Sequence, residues 1–202
     1  MKRFFLLIGG MGVAGLVAGG WWWYDQVSVP PPRHSASIWP IVASYNLTDA
    51  EGNSVRSYHL QGKVVLLDFI YTRCASVCPR LQSRLRQTLQ AIPSSDRLVA
   101  VSISLDPAHD TPAYLRVHAE SYKVPGHRWV FWRPISQRVA IQLATSVFGL
   151  LAAPLEGEEI LHSDAIILID CEGRIRGVYS SQDERLLQHT QKLIRLCGAN
   201  AS

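Results

Sequence analysis

The chain has 202 residues, of which 48% are hydrophobic, and its formal net charge at pH 7 is +4. Much of the positive charge comes from scattered arginines, with no basic run and no interleaved aromatic residues on a predicted helix. Nucleic-acid binding would need a denser basic patch, so the composition argues against that class and indicates a solvated basic surface.

The N-terminal region, residues 1–25, is typical of a single membrane anchor. The uncharged run Phe4–Tyr24 contains 21 residues, which is enough to cross a hydrocarbon core of about 30 Å. Lys2 and Arg3 precede the run, and the aromatic cluster Trp21–Tyr24 closes it. The positive-inside rule then places the rest of the chain outside the cytoplasm, in the periplasm or an equivalent space. A cleaved signal peptide is the alternative, and it would export the same part of the chain.

Residues 26–40 predict a semi-rigid spacer, because the triplet Pro30–Pro32 favours extended polyproline geometry. The part that follows, residues 41–202, is long enough for one domain with a substantial core. We therefore expect an anchor, a spacer and one exported domain.

Hydrophobic patterns predict strands that alternate with helices along this domain. In chain order they are a hairpin at 47–55, a strand at 64–70, a helix at 78–92, a strand at 98–105, a helix starting at 112, a strand at 129–132, a helix at 135–148, a hairpin of strands 165–170 and 174–179, and a helix at 183–196. This order indicates an α/β thioredoxin-like fold with an N-terminal β-hairpin extension.

Cys74 and Cys78 lie at the predicted turn from the strand at 64–70 into the next helix. At a helix N-terminus the backbone N–H groups are unpaired and the dipole is positive, which lowers the pKa of a thiol and favours the thiolate. Residues four apart on a helical turn point the same way, so both sulfurs can face one metal ion. The ordinary alternative in an exported domain is a structural disulfide between them.

Three motifs follow one another along the domain. They are Tyr71-Thr-Arg-Cys-Ala-Ser-Val-Cys-Pro79, Asp106-Pro-Ala-His-Asp-Thr-Pro112 and Leu161-His-Ser163. In this order and spacing they resemble the Sco/SenC family, membrane-anchored thioredoxin-fold proteins that handle copper for cytochrome c oxidase assembly. The resemblance implies copper bound by Cys74, Cys78 and His162 and delivered to an oxidase subunit for its CuA site. Thiolates suit Cu(I), and an added imidazole also accommodates Cu(II).

The cysteine motif departs from the family's commonest form, C-P-x-x-C-P, because Ala75 and Ser76 stand where proline and often an acidic residue occur. The loss of that acid, and Arg73 beside Cys74, favour anionic sulfur but disfavour net binding of a cation. A second function is therefore predicted as the alternative to copper delivery. In it, Cys74 and Cys78 form the catalytic pair of a thiol-disulfide reductase that keeps the metal-site cysteines of a partner reduced.

The motif around Asp106, Asp110 and Thr111 has two interpretations. It forms either no more than a turn that caps the helix at Pro112 or a support for the metal site. The sequence favours the capping turn.

Cys171 and Cys197 predict a structural disulfide in the exported domain. The strand at 174–179 leads away from Cys171 by about 20 Å at ~3.3 Å per residue. The final helix returns a similar distance at ~1.5 Å per residue. Antiparallel packing of the two would bring Cys197 back beside Cys171.

Overall fold

A computed structural model describes residues 36–155 and 159–199. The predicted anchor at 1–25 and most of the predicted spacer lie outside the described residues. Within the described ranges, no helix is long and apolar enough to cross a membrane.

Strands and helices alternate along most of the described chain. The α-helices are α1 Trp39–Ala43, α2 Val77–Gln90, α3 Pro112–Tyr122, α4 Gln137–Gln142 and α5 Arg185–Ala199. The strands are β1 Leu47–Asp49, β2 Val64–Ile70, β3 Leu98–Ser104, β4 Arg128–Pro134, β5 Ala152–Pro154, β6 Ile160–His162, β7 Ile166–Ile169 and β8 Ile175–Tyr179. A short 3-10 helix covers Ser57–Leu60, and a π-helical turn, Leu143–Val147, continues α4.

Six strands form one mixed sheet in the order β1-β4-β3-β2-β7-β8. Strands β2, β3 and β4 are parallel, whereas β7 runs antiparallel to β2 and β1 antiparallel to β4. The C-terminal ends of β2, β3 and β4 therefore meet at one edge of the sheet, and β7 begins at that same edge. This α/β arrangement is the thioredoxin-like fold that the sequence predicts.

The sheet separates two apolar clusters, and alternate residues of β2 divide between them. Val65 and Leu67 contribute to one cluster, and Val64 and Leu66 to the other. The second cluster also contains the predicted apolar face of α2, which is fully buried at Leu81, Leu85 and Leu89. Burial on both faces explains why β2 is continuously apolar except at Asp68.

Some predicted elements differ from those observed. The N-terminal hairpin at 47–55 is reduced to β1 and an isolated bridge between Thr48 and Ser54, and β1 pairs with β4 instead. The helix predicted at 135–148 begins at Gln137 and changes to π-helical geometry from Leu143. Ile38 and Trp39, at the end of the predicted spacer, are 4% and 2% exposed and belong to the core.

A disulfide joins Cys171, in the turn between β7 and β8, to Cys197 in α5. Their Cα atoms are 6.0 Å apart. The bond connects the last helix to the sheet. This is the pairing that the lengths of the strand at 174–179 and of the final helix predict. Cys74 and Cys78 carry free thiols.

Candidate metal centre

Three potential ligands converge at the sheet edge where β2 ends. Cys74 lies in the loop after β2, Cys78 in the first turn of α2, and His162 at the end of β6. Because Asp68 of β2 pairs with Ile166 of β7, the segment just before β7 is carried to the cysteine loop. The topology thus brings together residues 84 and 88 positions apart in the chain.

The donor atoms of these residues all lie within 4.8 Å of one another. The Nε2 atom of His162 is 3.4 Å from the Cys78 sulfur and 4.0 Å from the Cys74 sulfur. Donors bonded to one ion at about 2.0–2.3 Å are separated by roughly 3.5–4 Å, so little adjustment is needed. Two soft thiolates and one imidazole form a donor set suited to copper in either oxidation state.

The imidazole of His162 is oriented for coordination. Its Nδ1 atom is 3.2 Å from the carbonyl oxygen of Ser163. A carbonyl can only accept a hydrogen bond, so Nδ1 carries a proton and Nε2 is the nitrogen left to coordinate a metal. Nε2 faces the two sulfurs, which is the orientation that a metal ligand requires.

The Cys74 sulfur is stabilised as a thiolate. Burial opposes its ionisation, but hydrogen bonds from His162 and from the backbone N–H groups of Cys78 and Ser76 outweigh it and lower the pKa to about 5. The N–H of Cys78 lies 3.4 Å from this sulfur. The helix N-terminus therefore acts on Cys74 as the sequence predicts.

Cys78 behaves in the opposite way. Burial raises the pKa of its thiol well above the ordinary value, and the nearby charges of Cys74 and Asp68 raise it further. At neutral pH, Cys74 is thus a thiolate and Cys78 a thiol. One ionised and one protonated sulfur make an asymmetric pair.

Tyr71 is a further residue of the site, for which the sequence pattern predicted no role. Its ring lies edge-on to His162, with centroids 5.7 Å apart. Burial and a hydrogen bond to Cys74 raise the pKa of Tyr71 to about 12. The hydroxyl therefore stays protonated and donates to the thiolate. Its position three residues before Cys74 is the only sequence signal for this contact.

The motif around Asp106 and Asp110 reaches the cysteine loop, so it is more than a capping turn. The buried Asp110 carboxylate accepts hydrogen bonds from the Thr72 hydroxyl at 2.5 Å, the Thr72 backbone N–H at 3.2 Å and the Ser104 hydroxyl at 2.6 Å. Asp106 forms an ion pair with Arg73. The favoured interpretation from sequence was incomplete: Thr111 does cap α3, but the two carboxylates hold the residues that precede Cys74.

A buried polar network lies between β2 and α2. The Asp68 carboxylate is fully buried and accepts hydrogen bonds from the Ser102 hydroxyl at 2.6 Å and the Gln82 side-chain amide at 2.8 Å. The Trp129 indole N–H donates to the Ser102 oxygen at 2.9 Å. Burial dominates and raises the pKa of Asp68 to about 6. This network fixes α2 against the sheet one turn beyond Cys78.

Comparison with known protein sequences identifies a matching family and similar proteins. The model of the family described as SCO1/SenC matches residues 35–197. The chain is similar to a SCO1 protein homolog of Bacillus subtilis, with 26% identity over 141 residues that cover 69% of this chain and 73% of that protein.

Solved structures share the fold. A SCO1/SenC family lipoprotein from Bacillus anthracis aligns with a TM-score of 0.66 and 22% identity, over 78% of this chain and 93% of that one. The structure of Bradyrhizobium japonicum ScoI with copper bound aligns with a TM-score of 0.59 and 24% identity, over 83% of this chain and 99% of that one.

Proposed function

This chain belongs to the SCO1/SenC family, and we propose on that basis that it is a copper metallochaperone for cytochrome c oxidase assembly. Cys74, Cys78 and His162 bind the ion as cargo and pass it to the CuA site of an oxidase subunit by ligand exchange. The observation that carries the proposal is the convergence of two thiol sulfurs and an imidazole nitrogen within 4.8 Å.

The chain's own residues prepare this site for copper. Cys74 is already ionised at neutral pH, so binding displaces a proton chiefly from Cys78. The Ser163 carbonyl orients the imidazole of His162. The contacts of Asp106 and Asp110 hold the loop before Cys74, which limits the reorganisation needed on binding.

Copper analysis and absorption spectroscopy of the reduced protein test the proposal. We expect one copper per chain and a thiolate-to-Cu(II) charge-transfer band. The band should be lost in Cys74→Ala and Cys78→Ala and strongly weakened in His162→Ala. The matched control is His59→Ala, because His59 is an exposed histidine outside the site. Copper retention by all three site variants would refute the three-ligand site.

A second candidate function, thiol-disulfide reduction, is favoured by the asymmetric pKa values of the cysteines. The Cys74 thiolate attacks a partner's disulfide, forms a mixed disulfide and releases one partner thiolate. Cys78 then loses its proton and attacks the Cys74 sulfur, which releases the second partner thiol and leaves a Cys74–Cys78 disulfide. Two electrons pass to the partner, and an external dithiol must restore the reduced pair.

His162→Ala separates the two functions. Copper delivery needs the imidazole as a ligand, whereas exchange between thiols needs only the cysteines. Loss of Cu(II) binding with retained reduction of a disulfide substrate would show that both activities are available. Loss of both would show that His162 also supports the Cys74 thiolate.

We further propose that residues 1–25 anchor the chain in a membrane, residues 26–40 act as the spacer, and residues 41–202 form the exported copper-binding domain. The uncharged run and the proline triplet of the sequence support this arrangement. Membrane fractionation followed by alkaline extraction tests it. Release of the intact chain by alkali, or an N-terminus that begins after residue 20, would contradict an uncleaved anchor.

A further inference from the structure

The hairpin that carries His162 has two different faces. It is a separate two-stranded sheet in which Ala152 pairs with His162, and Ala153 with Leu161. Side chains alternate along a strand, so Ala152, Ile160 and His162 share the inner face. Ala152 and Ile160 are 6% and 5% exposed, which shows that this face packs on the core.

The outer face is largely apolar although it is exposed, with Glu159 and Ser163 at its two ends. Leu151, Leu155 and Leu161 are 60%, 46% and 42% exposed, and Ala153 lies among them. Residues two apart on a strand are about 7 Å apart on one face, so the leucines form a continuous patch. The solvated face of a small antiparallel sheet normally carries polar side chains. A clustered apolar patch there is typical of an interaction surface.

We propose that this outer face, Leu151, Ala153, Leu155 and Leu161, is the docking surface for the protein that receives copper from the site. The proposal rests on the proposed copper-delivery function. It adds the surface that the partner occupies and the chemistry of that partner.

The position of the patch favours a copper-exchanging partner. Leu161 is adjacent to His162 in β6 and points to the opposite face of the same strand. The two cysteines are only 8% and 3% exposed. A partner that brings its own ligands to these sulfurs must come against the cysteine loop and the neighbouring hairpin, and the leucines offer it apolar area to bury.

Charge defines the partner further. In the described residues 148–155 and 159–163, Glu159 is an exposed carboxylate and there is no lysine or arginine. Anionic lipid surfaces attract basic segments and repel acidic ones, so this patch is unsuited to a membrane. Two copies docked face to face would bring like charges together. The surface instead fits a protein with an apolar centre and a rim of lysine or arginine.

Binding of the soluble CuA domain of an oxidase subunit to the full-length, detergent-solubilised chain tests the proposal. The variant Leu151→Ser/Leu161→Thr is compared with the control Ile41→Ser/Val117→Thr, whose residues are 51% and 71% exposed elsewhere. We expect the leucine variant to bind the CuA domain at least tenfold more weakly, because most of the apolar area of two leucine side chains is no longer buried against the partner. The control should bind like the parent.

Copper stoichiometry and the charge-transfer band are measured on the same samples. Both should be unchanged in the leucine variant, so a failure of docking is distinct from a failure of the copper site. The proposal is overturned if the parent and the leucine variant bind the CuA domain equally well, or if neither binds it. Protection of residues 148–163 from hydrogen exchange by phosphatidylethanolamine–phosphatidylglycerol nanodiscs alone also overturns it. The same holds if the parent is a dimer and the leucine variant is a monomer.

Discussion

Replacing Asp68 with asparagine removes a carboxylate that the fold buries completely. Burial raises its pKa from 3.8 to about 6. A raised pKa means that the folded state holds the proton more tightly than the unfolded state does. This group therefore contributes stability that is fully present below about pH 4 and is lost as the pH rises through 6.

The size of the effect follows from the shift. A change of about 2 pKa units corresponds to about 3 kcal/mol at 1.36 kcal/mol per unit. Asparagine has the same shape and no charge, and the Gln82 amide can turn to accept from it. In the described part of the chain, the Gln82 side-chain oxygen has no hydrogen-bond partner. We therefore expect Asp68→Asn to stabilise the protein by up to about 3 kcal/mol near neutral pH.

Urea unfolding of the metal-free protein with its disulfide intact, at about pH 4 and about pH 7.5, measures the effect. The variant should exceed the parent in free energy of unfolding at the higher pH and approach it at the lower. Asp183→Asn is a control of opposite sign, because its hydrogen bond with Arg185 lowers the pKa of Asp183. The reasoning is refuted if the difference between Asp68→Asn and the parent is the same at both pH values.

Three other predictions concern the cysteines and the loop that holds them. Ultraviolet thiolate absorbance of the reduced, metal-free protein should show Cys74 ionising near pH 5 and Cys78 only above pH 9; two transitions near 9 would contradict the asymmetry. Asp110→Ala should lower the free energy of unfolding by about 3 kcal/mol, because its buried donors lose their acceptor; an unchanged urea midpoint would count against this. Removing the disulfide by Cys171→Ser/Cys197→Ser should lower the free energy of unfolding by about 3.5 kcal/mol for a separation of 26 residues. An unchanged midpoint of thermal unfolding would contradict this prediction.

Local patterns identified most regular elements. The continuous apolar run of β2 and the leucines spaced along α2 predicted those elements within two residues at each end. Such segments are long, and their periodicity reflects burial that neighbouring residues share. The cysteine turn followed from the junction between them.

The hairpin β5–β6 was not predicted, because each strand has three residues and the segment between them contains one glycine and three glutamates. Strands this short carry too few alternations to be recognised. The sequence therefore did not indicate that the leucines of this hairpin would be exposed on one face.

The sequence by itself determined which residues could bind a soft metal, that a helix begins at the two cysteines and which family pattern the chain follows. These properties depend on residue type and on a helix start that lies within a few positions of the cysteines. The tertiary structure decided that His162 meets the sulfurs and that Asp106 and Asp110 support the cysteine loop. It also decided that Cys78, unlike Cys74, resists ionisation. Those outcomes depend on sheet topology and burial, which arise from contacts between segments far apart in the chain.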